Sequence, residues 1–139
     1  MLVGGLAVNA WGVVRGTKDV DVVPDPEPEN LRRLAEVAVD AGGHVQSAEM
    51  LAGSVQSIVE LLASGERALI STRLGPLDVV QGLDGVPDYA ALHSSAIDVE
   101  LLGVTVAVCS LEDLRLMKQA AGRARDLADL EDLDHVAGG

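Results

Sequence analysis

Aromatic residues are nearly absent from this sequence, which has no phenylalanine, one tryptophan (Trp11) and one tyrosine (Tyr89) in 139 residues. Proteins that bind single strands of nucleic acid by stacking bases on exposed rings are therefore disfavoured. Cysteine is equally scarce, and the single Cys109 excludes an internal disulfide framework and a cysteine-rich zinc site. No apolar run approaches the roughly 18–20 residues that span a bilayer, and no basic region precedes the apolar start. We therefore expect a cytoplasmic protein with no membrane partner.

Positive charge is also scarce. Ten Lys and Arg residues stand against 22 Asp and Glu residues, which gives a formal net charge of −12 and repels nucleic acids at long range. Four of the ten cations nevertheless fall within residues 115–125, and Arg15 and Lys18 lie beside the first acidic pair. If these two stretches meet in the fold, they form a positive pocket that suits a small polyanion such as a nucleoside triphosphate. The alternative is a solvated helix face of mixed charge.

Aliphatic residues are abundant: hydrophobic residues make up 48% of the chain, enough for the core of one domain over residues 1–139. Alternating, β-branched runs predict strands at 19–23, 67–72, 77–81, 97–102 and 104–108. Helical patterns predict helices at 6–14, 54–64, 88–94 and 123–136, together with one that starts at residue 29 or 30 and ends at Gly42 and one from Ser110 to Gly122. Residues 44–53 fit neither pattern. Strand pairs joined by short turns imply antiparallel hairpins, so we expect an α/β (α+β) fold with helices packed on a mixed β-sheet.

The strongest chemical signal is Asp19-Val20-Asp21. On a strand, residues i and i+2 point to the same face, so both carboxylates project together. Adjacent carboxylates repel each other, and Mg²⁺ is a cation that takes one or two carboxylates together with substrate phosphates. The pattern thus predicts a Mg²⁺ site, and the alternative is a strand end that carries two solvated aspartates.

Two further segments fit the same chemistry. Asp78 lies in a second short β-prone run, and it would face the aspartate pair if the two strands are neighbours. A third carboxylate there would act as a metal ligand or accept a proton from an attacking hydroxyl. Gly4 and Gly5 form a turn whose backbone a phosphate can approach closely. The alternatives are a solvated aspartate and an ordinary tight turn.

These segments resemble the active-site motif of the polymerase-β-like nucleotidyltransferases, and more narrowly the minimal bacterial forms related to AbiEii-type toxins. The resemblance is carried by the run Leu2-Val3-Gly4-Gly5-Leu6-Ala7, by Trp11-Gly12, by Arg15-Gly16-Thr17-Lys18-Asp19-Val20-Asp21-Val22-Val23, by Leu77-Asp78-Val79-Val80 and by the positions Leu114, Met117, Lys118, Ala121, Arg123, Arg125, Asp126, Asp129 and Leu130. It implies a nucleotidyltransferase-like mixed sheet and the transfer of a nucleoside monophosphate from a triphosphate such as ATP to an acceptor hydroxyl. The acceptor would be an RNA end, a protein or a small molecule, and the context would be a toxin–antitoxin pair.

The resemblance also implies roles for single residues. Asp19, Asp21 and Asp78 would be catalytic and would hold Mg²⁺, with Asp78 as ligand or base. The nucleotide would be bound by Gly4, Gly5, Arg15, Thr17, Lys118 and Asp126. Taken by spacing alone, Lys118 and Asp126 lie too far apart for a pair on one helical turn, whereas Arg125 and Asp129 have the i,i+4 spacing of a surface pair.

The chain departs from the family pattern in two ways. Gly5 stands where many relatives have serine, so a hydroxyl contact to phosphate is missing. The chain also begins at its first strand, whereas relatives usually have a helix ahead of it, so we expect an exposed apolar patch or a homodimer contact at that strand.

Two other functions fit the sequence less well. One is a catalytically weak or inactive nucleotidyltransferase fold that serves as a protein-binding, antitoxin-like module. The other is a phosphatase of the haloacid-dehalogenase type, whose motif would place a threonine where this chain has Val23.

Overall fold

The computed structural model describes residues 1–46 and 51–138. The strands are β1 (Leu2–Val3), β2 (Val20–Val22), β3 (Val45–Gln46), β4 (Leu51–Ala52), β5 (Ala68–Thr72), β6 (Gly75–Val79), β7 (Ile97–Leu101) and β8 (Val104–Val108). The helices are α1 (Gly4–Ala10), α2 (Pro28–Asp40), α3 (Val55–Ala63), α4 (Tyr89–Ser95), α5 (Leu111–Ala121) and α6 (Ala124–Gly138). Among these residues, no helix is long and apolar enough to cross a membrane.

The main sheet has six strands in the order β5-β6-β2-β1-β8-β7. The hairpins β5–β6 and β7–β8 are antiparallel, as the sequence predicts, and so is the β1–β2 pair. The β2–β6 and β1–β8 pairs are parallel. The predicted α+β class with a mixed sheet is therefore confirmed. The ambiguous stretch 44–53 contains the β3–β4 pair, and its residues 47–50 lie outside the described part of the chain.

Helices α2 and α3 cover one face of the sheet at the β5–β6 end, where Ala68, Ile70 and Val79 are buried against them. Because side chains alternate along a strand, the neighbouring residues Leu69 and Asp78 lie on the opposite face. The core has another cluster of buried residues besides the one under α2 and α3. It surrounds β1 and β8 and includes buried residues of α1, α5 and α6. The α2–α3 layer thus leaves the Asp78 face of the sheet to the other helices.

Local signals set several element boundaries. Ser110 caps α5 as the sequence predicts, since its Oγ accepts a hydrogen bond of 3.1 Å from the Asp113 amide. The predicted helix at 6–14 is instead α1, which begins at Gly4 and ends at Ala10, and Gly12 follows it with a φ of +104°. The strand predicted at 77–81 is also displaced, because β6 begins at Gly75 and ends at Val79.

The first strand does not carry the exposed apolar patch that the sequence predicts. Leu2 and Val3 are 6% and 2% exposed, because β1 lies between β2 and β8 in the sheet. Val37 on α2, which lines a surface groove together with Met1, is 64% exposed. A homodimer contact remains a prediction.

Candidate active site

Asp21 and Asp78 lie side by side in the sheet. The parallel register of β2 and β6 pairs them directly, and paired residues of neighbouring strands share a face. Asp19 is exposed and precedes β2, and its charge acts on Asp21. The structure thus pairs Asp21 with Asp78, and it places Asp19 close enough for its charge to act on Asp21.

Gly4 and Gly5, which the sequence predicts as a turn, are instead the first two residues of α1, and Gly4 packs against Asp21. A Cβ on Gly4, whose φ is +65°, would lie 2.1 Å from Asp21 Oδ2, so only glycine leaves room for the carboxylate. A Cβ on Gly5 would lie 2.9 Å from Thr17 Oγ1. The backbone N–H of Gly5 interacts with the Asp21 carboxylate and acts to lower the pKa of that group. The segment that the sequence predicts to bind phosphate therefore contacts Asp21 in this structure.

The surroundings of Asp21 raise the pKa of its carboxyl group. Burial is the largest cause, and the negative charges of Asp78 and Asp19 add to it. The backbone N–H of Gly5 and the positive charge of Lys118 act to lower the pKa, and they are outweighed. A bound cation or proton would relieve this repulsion.

Asp78 is held by an arginine that sequence reasoning did not find. Arg67 Nε donates to Oδ1 at 2.9 Å and Nη2 donates to Oδ2 at 2.6 Å. The carboxylate is buried, whereas the Arg67 side chain is 49% exposed. This two-bond contact raises the pKa of Arg67. Arg67 immediately precedes β5 and lies two residues from Leu69, the strand partner of Asp78, so Arg67 and Asp78 are diagonal neighbours on one face of the β5–β6 hairpin.

The C-terminal helices contribute a buried ion-pair cluster. Lys118 Nζ lies 2.9 Å from Asp126 Oδ1 and 2.7 Å from Asp129 Oδ2. The contact across eight residues arises because Gly122, with a φ of +61°, ends α5 and turns the chain into α6. Hydrogen bonds from Arg123 and Lys118 outweigh the burial of Asp126, so the pKa of its carboxyl group is lowered.

The same cluster fixes the loop that leads to Asp19. Arg15 Nη1 forms a salt bridge with the buried Asp129, and Arg125 Nη2 donates to the Gly16 carbonyl at 2.5 Å. The predicted surface pair between Arg125 and Asp129 is therefore wrong: Asp129 is 3% exposed and binds Arg15 and Lys118 instead.

The two cationic stretches do meet, as the hypothesis of a positive pocket requires. Their charges are largely paired, however, since Arg15 and Lys118 bind buried carboxylates. Arg123 is 77% exposed at its side chain and binds Asp126. The pKa of Arg123 is raised, first by that hydrogen bond, while the positive charge of Arg67 acts against the rise. The charges of Arg67 and Arg123 therefore interact across the site.

The donor chemistry fits Mg²⁺ in part. Asp19 and Asp21 supply the one or two carboxylates that Mg²⁺ usually takes. Asp78 would add a third, but both of its oxygens accept hydrogen bonds from Arg67. Within residues 1–46 and 51–138, no three His, Cys, Asp or Glu side chains form a group with metal-binding geometry.

No sequence profile of a known family matches the chain, and no curated protein sequence is similar to it.

Proposed function

We propose that this protein transfers a nucleoside monophosphate from a nucleoside triphosphate to an acceptor hydroxyl in a reaction that requires Mg²⁺. The observation that carries the proposal is the in-register pair of Asp21 and Asp78, with Gly4 packed against the Asp21 carboxylate. Three segments far apart in the sequence converge there, and they are the segments on which the resemblance to polymerase-β-like nucleotidyltransferases rests.

In this reaction the acceptor oxygen forms a bond to the α-phosphorus, and the bond from that phosphorus to pyrophosphate breaks. Bound Mg²⁺ would neutralise charge on the phosphates. Asp19 and Asp21 would hold it, and Asp78 would add a third ligand or take the proton of the hydroxyl. Lys118 lies within an ion-paired cluster, so we propose that it acts on the site through its positive charge.

The acceptor class stays open among an RNA end, a protein hydroxyl and a small molecule. A net charge of −12 disfavours a long RNA, because its phosphates are repelled at long range. A toxin–antitoxin pair would supply a protein partner for the chain.

Incubation with each α-labelled nucleoside triphosphate and Mg²⁺ tests the proposal. We expect label transfer to fall by about 10²-fold or more in Asp19→Asn and Asp21→Asn, since metal-held charge stabilisation is worth several kcal/mol. Asp98→Asn is the matched control, because Asp98 is exposed on the edge strand β7. Transfer that persists in both site variants would contradict the proposal. So would a parent protein that binds no triphosphate with Mg²⁺ in a calorimeter.

A second candidate function is a protein-binding module that keeps the fold without catalysis. The contact between Arg67 and Asp78 favours it, because this ion pair neutralises one of the three carboxylates without any metal. A stable complex with a protein partner, together with no triphosphate binding, would support this alternative.

A further inference from the structure

Arg67 is an exposed cation bound to a buried carboxylate of the candidate site. It lies in the connection between α3 and β5, and about half of its side chain contacts solvent. Its guanidinium nevertheless uses two nitrogens to bind both oxygens of Asp78, at 2.9 and 2.6 Å. Such a side chain can leave its partner without disturbing the core.

The charge of Arg67 acts on both members of the carboxylate pair. Asp78 receives its hydrogen bonds, and Asp21 lies close enough for its charge to act on Arg67. The negative charge that would attract a divalent cation is therefore already partly compensated by this guanidinium. The oxygens of a carboxylate offer about four acceptor positions, so Arg67 does not fill Asp78 completely. It opposes a second cation through like-charge repulsion.

We propose that Arg67 is an internal counter-ion that a divalent cation displaces from Asp78 when the site is loaded. The inference rests on the proposed function, because it takes from it a metal ion held by Asp19 and Asp21 with Asp78 as the third ligand. In the metal-free protein Arg67 is paired with Asp78, and in the metal-bound protein Arg67 is released towards solvent. Loading is then a competition between two cations for one carboxylate.

Binding of Mn²⁺ to the intact, nucleotide-free protein tests the inference, with free Mn²⁺ measured by electron paramagnetic resonance. We expect Arg67→Gln to bind Mn²⁺ about tenfold more tightly than the parent, because a charge-assisted, two-bond contact no longer competes. Arg67→Lys keeps the charge but not the fork geometry and should give an intermediate affinity.

Arg123→Gln is the matched control. This substitution also removes one arginine, but an arginine that binds Asp126 and not Asp78. We therefore expect its Mn²⁺ affinity to differ from that of the parent by less than about threefold. In an Asp78→Asn background, Arg67→Gln should have no effect on Mn²⁺ affinity. Circular dichroism of each variant confirms that it is folded.

The outcomes separate the two proposals. Equal and measurable Mn²⁺ affinities in the parent and in Arg67→Gln would overturn this inference and leave the metal site standing. An equal gain in Arg67→Gln and Arg123→Gln would also overturn it, because the effect would then be general electrostatics. No Mn²⁺ binding by parent or variant would overturn the metal site and this inference together.

Discussion

Asp21 on β2 lies directly beside Asp78 on β6, in the register of two parallel strands. Two carboxylates in this position repel each other, and partial burial adds to the cost of their charge. Arg67 compensates Asp78, whereas the raised pKa of Asp21 shows that its negative charge is incompletely compensated. Such residual cost is typical of functional sites, where a ligand supplies the missing charge.

Asp21→Asn should stabilise the metal-free protein. The amide removes the repulsion from Asp78 and Asp19 and keeps an oxygen that can interact with the backbone N–H of Gly5. We expect the free energy of unfolding at pH 7 to rise by about 0.5–1 kcal/mol, measured by urea denaturation. Asp98→Asn on the edge strand should stay within about 0.5 kcal/mol of the parent. A loss of stability in Asp21→Asn would contradict the assigned repulsion.

The gain from Asp21→Asn should depend on pH. The folded pKa of Asp21 lies above its unfolded value of 3.8, so the folded state binds more protons between the two values. The parent therefore gains stability from this group as pH falls through the folded pKa towards 3.8, and the variant does not. The advantage of Asp21→Asn should be full above the folded pKa and vanish near 3.8. Urea denaturation curves across this range measure the difference, and a difference that grows on acidification would contradict the sign.

The sequence was sufficient for the carboxylates because their signals are local. A β-branched run with period 2 predicts that Asp19 and Asp21 share a face, and a second such run predicts a strand at Asp78. The parallel pairing of β2 with β6 depends on the tertiary fold. The sequence could say only that Asp78 faces the aspartate pair if the two strands are neighbours.

The ion pairs around the carboxylates could not be predicted in the same way. Arg15 and Asp129 are 114 residues apart, and no helical or strand period joins them. One signal was present: Asp126, Asp129 and Leu133 have the spacing i, i+3, i+7 of one helix face, and all three are buried. Two acidic residues on the same face of α6 as a buried leucine indicate that both carboxylates have buried cationic partners. The i,i+4 spacing of Arg125 and Asp129 suggested a surface pair instead.

Lys118→Met should destabilise the protein. The substitution keeps most of the buried side-chain volume but leaves Asp126 and Asp129 with one arginine each. We expect a loss of about 3 kcal/mol in the free energy of unfolding, at the low end for breaking a buried ion pair, because those arginines remain. Lys18→Met at an exposed position should change it by less than about 0.5 kcal/mol. Equal effects of the two substitutions in urea denaturation would refute the structural role of Lys118.

Arg125→Met should loosen the loop before Asp19. Its guanidinium donates to the Gly16 carbonyl, and a hydrogen bond from a charged group contributes about 1.5–3 kcal/mol. We expect amide hydrogen exchange within residues 15–19 to become about tenfold faster, in line with the lower end of that range. Arg115→Met removes a different link, to Asp134, and should leave this loop unchanged. Equal protection of these amides from exchange in both variants would contradict the hydrogen bond between Arg125 and the Gly16 carbonyl.

Gly4→Ala should disturb Asp21 as well as the backbone. Gly42 is the matched control, because its φ of +71° is close to the +65° of Gly4 while an added Cβ would meet nothing within 4 Å. Gly42→Ala should therefore cost about 1–2 kcal/mol of unfolding free energy through left-handed strain alone. Gly4→Ala should cost about 1–3 kcal/mol more, because its methyl group would overlap the Asp21 carboxylate and force it to move. Urea denaturation measures both costs. Equal costs would show that the Asp21 carboxylate does not lie against Gly4.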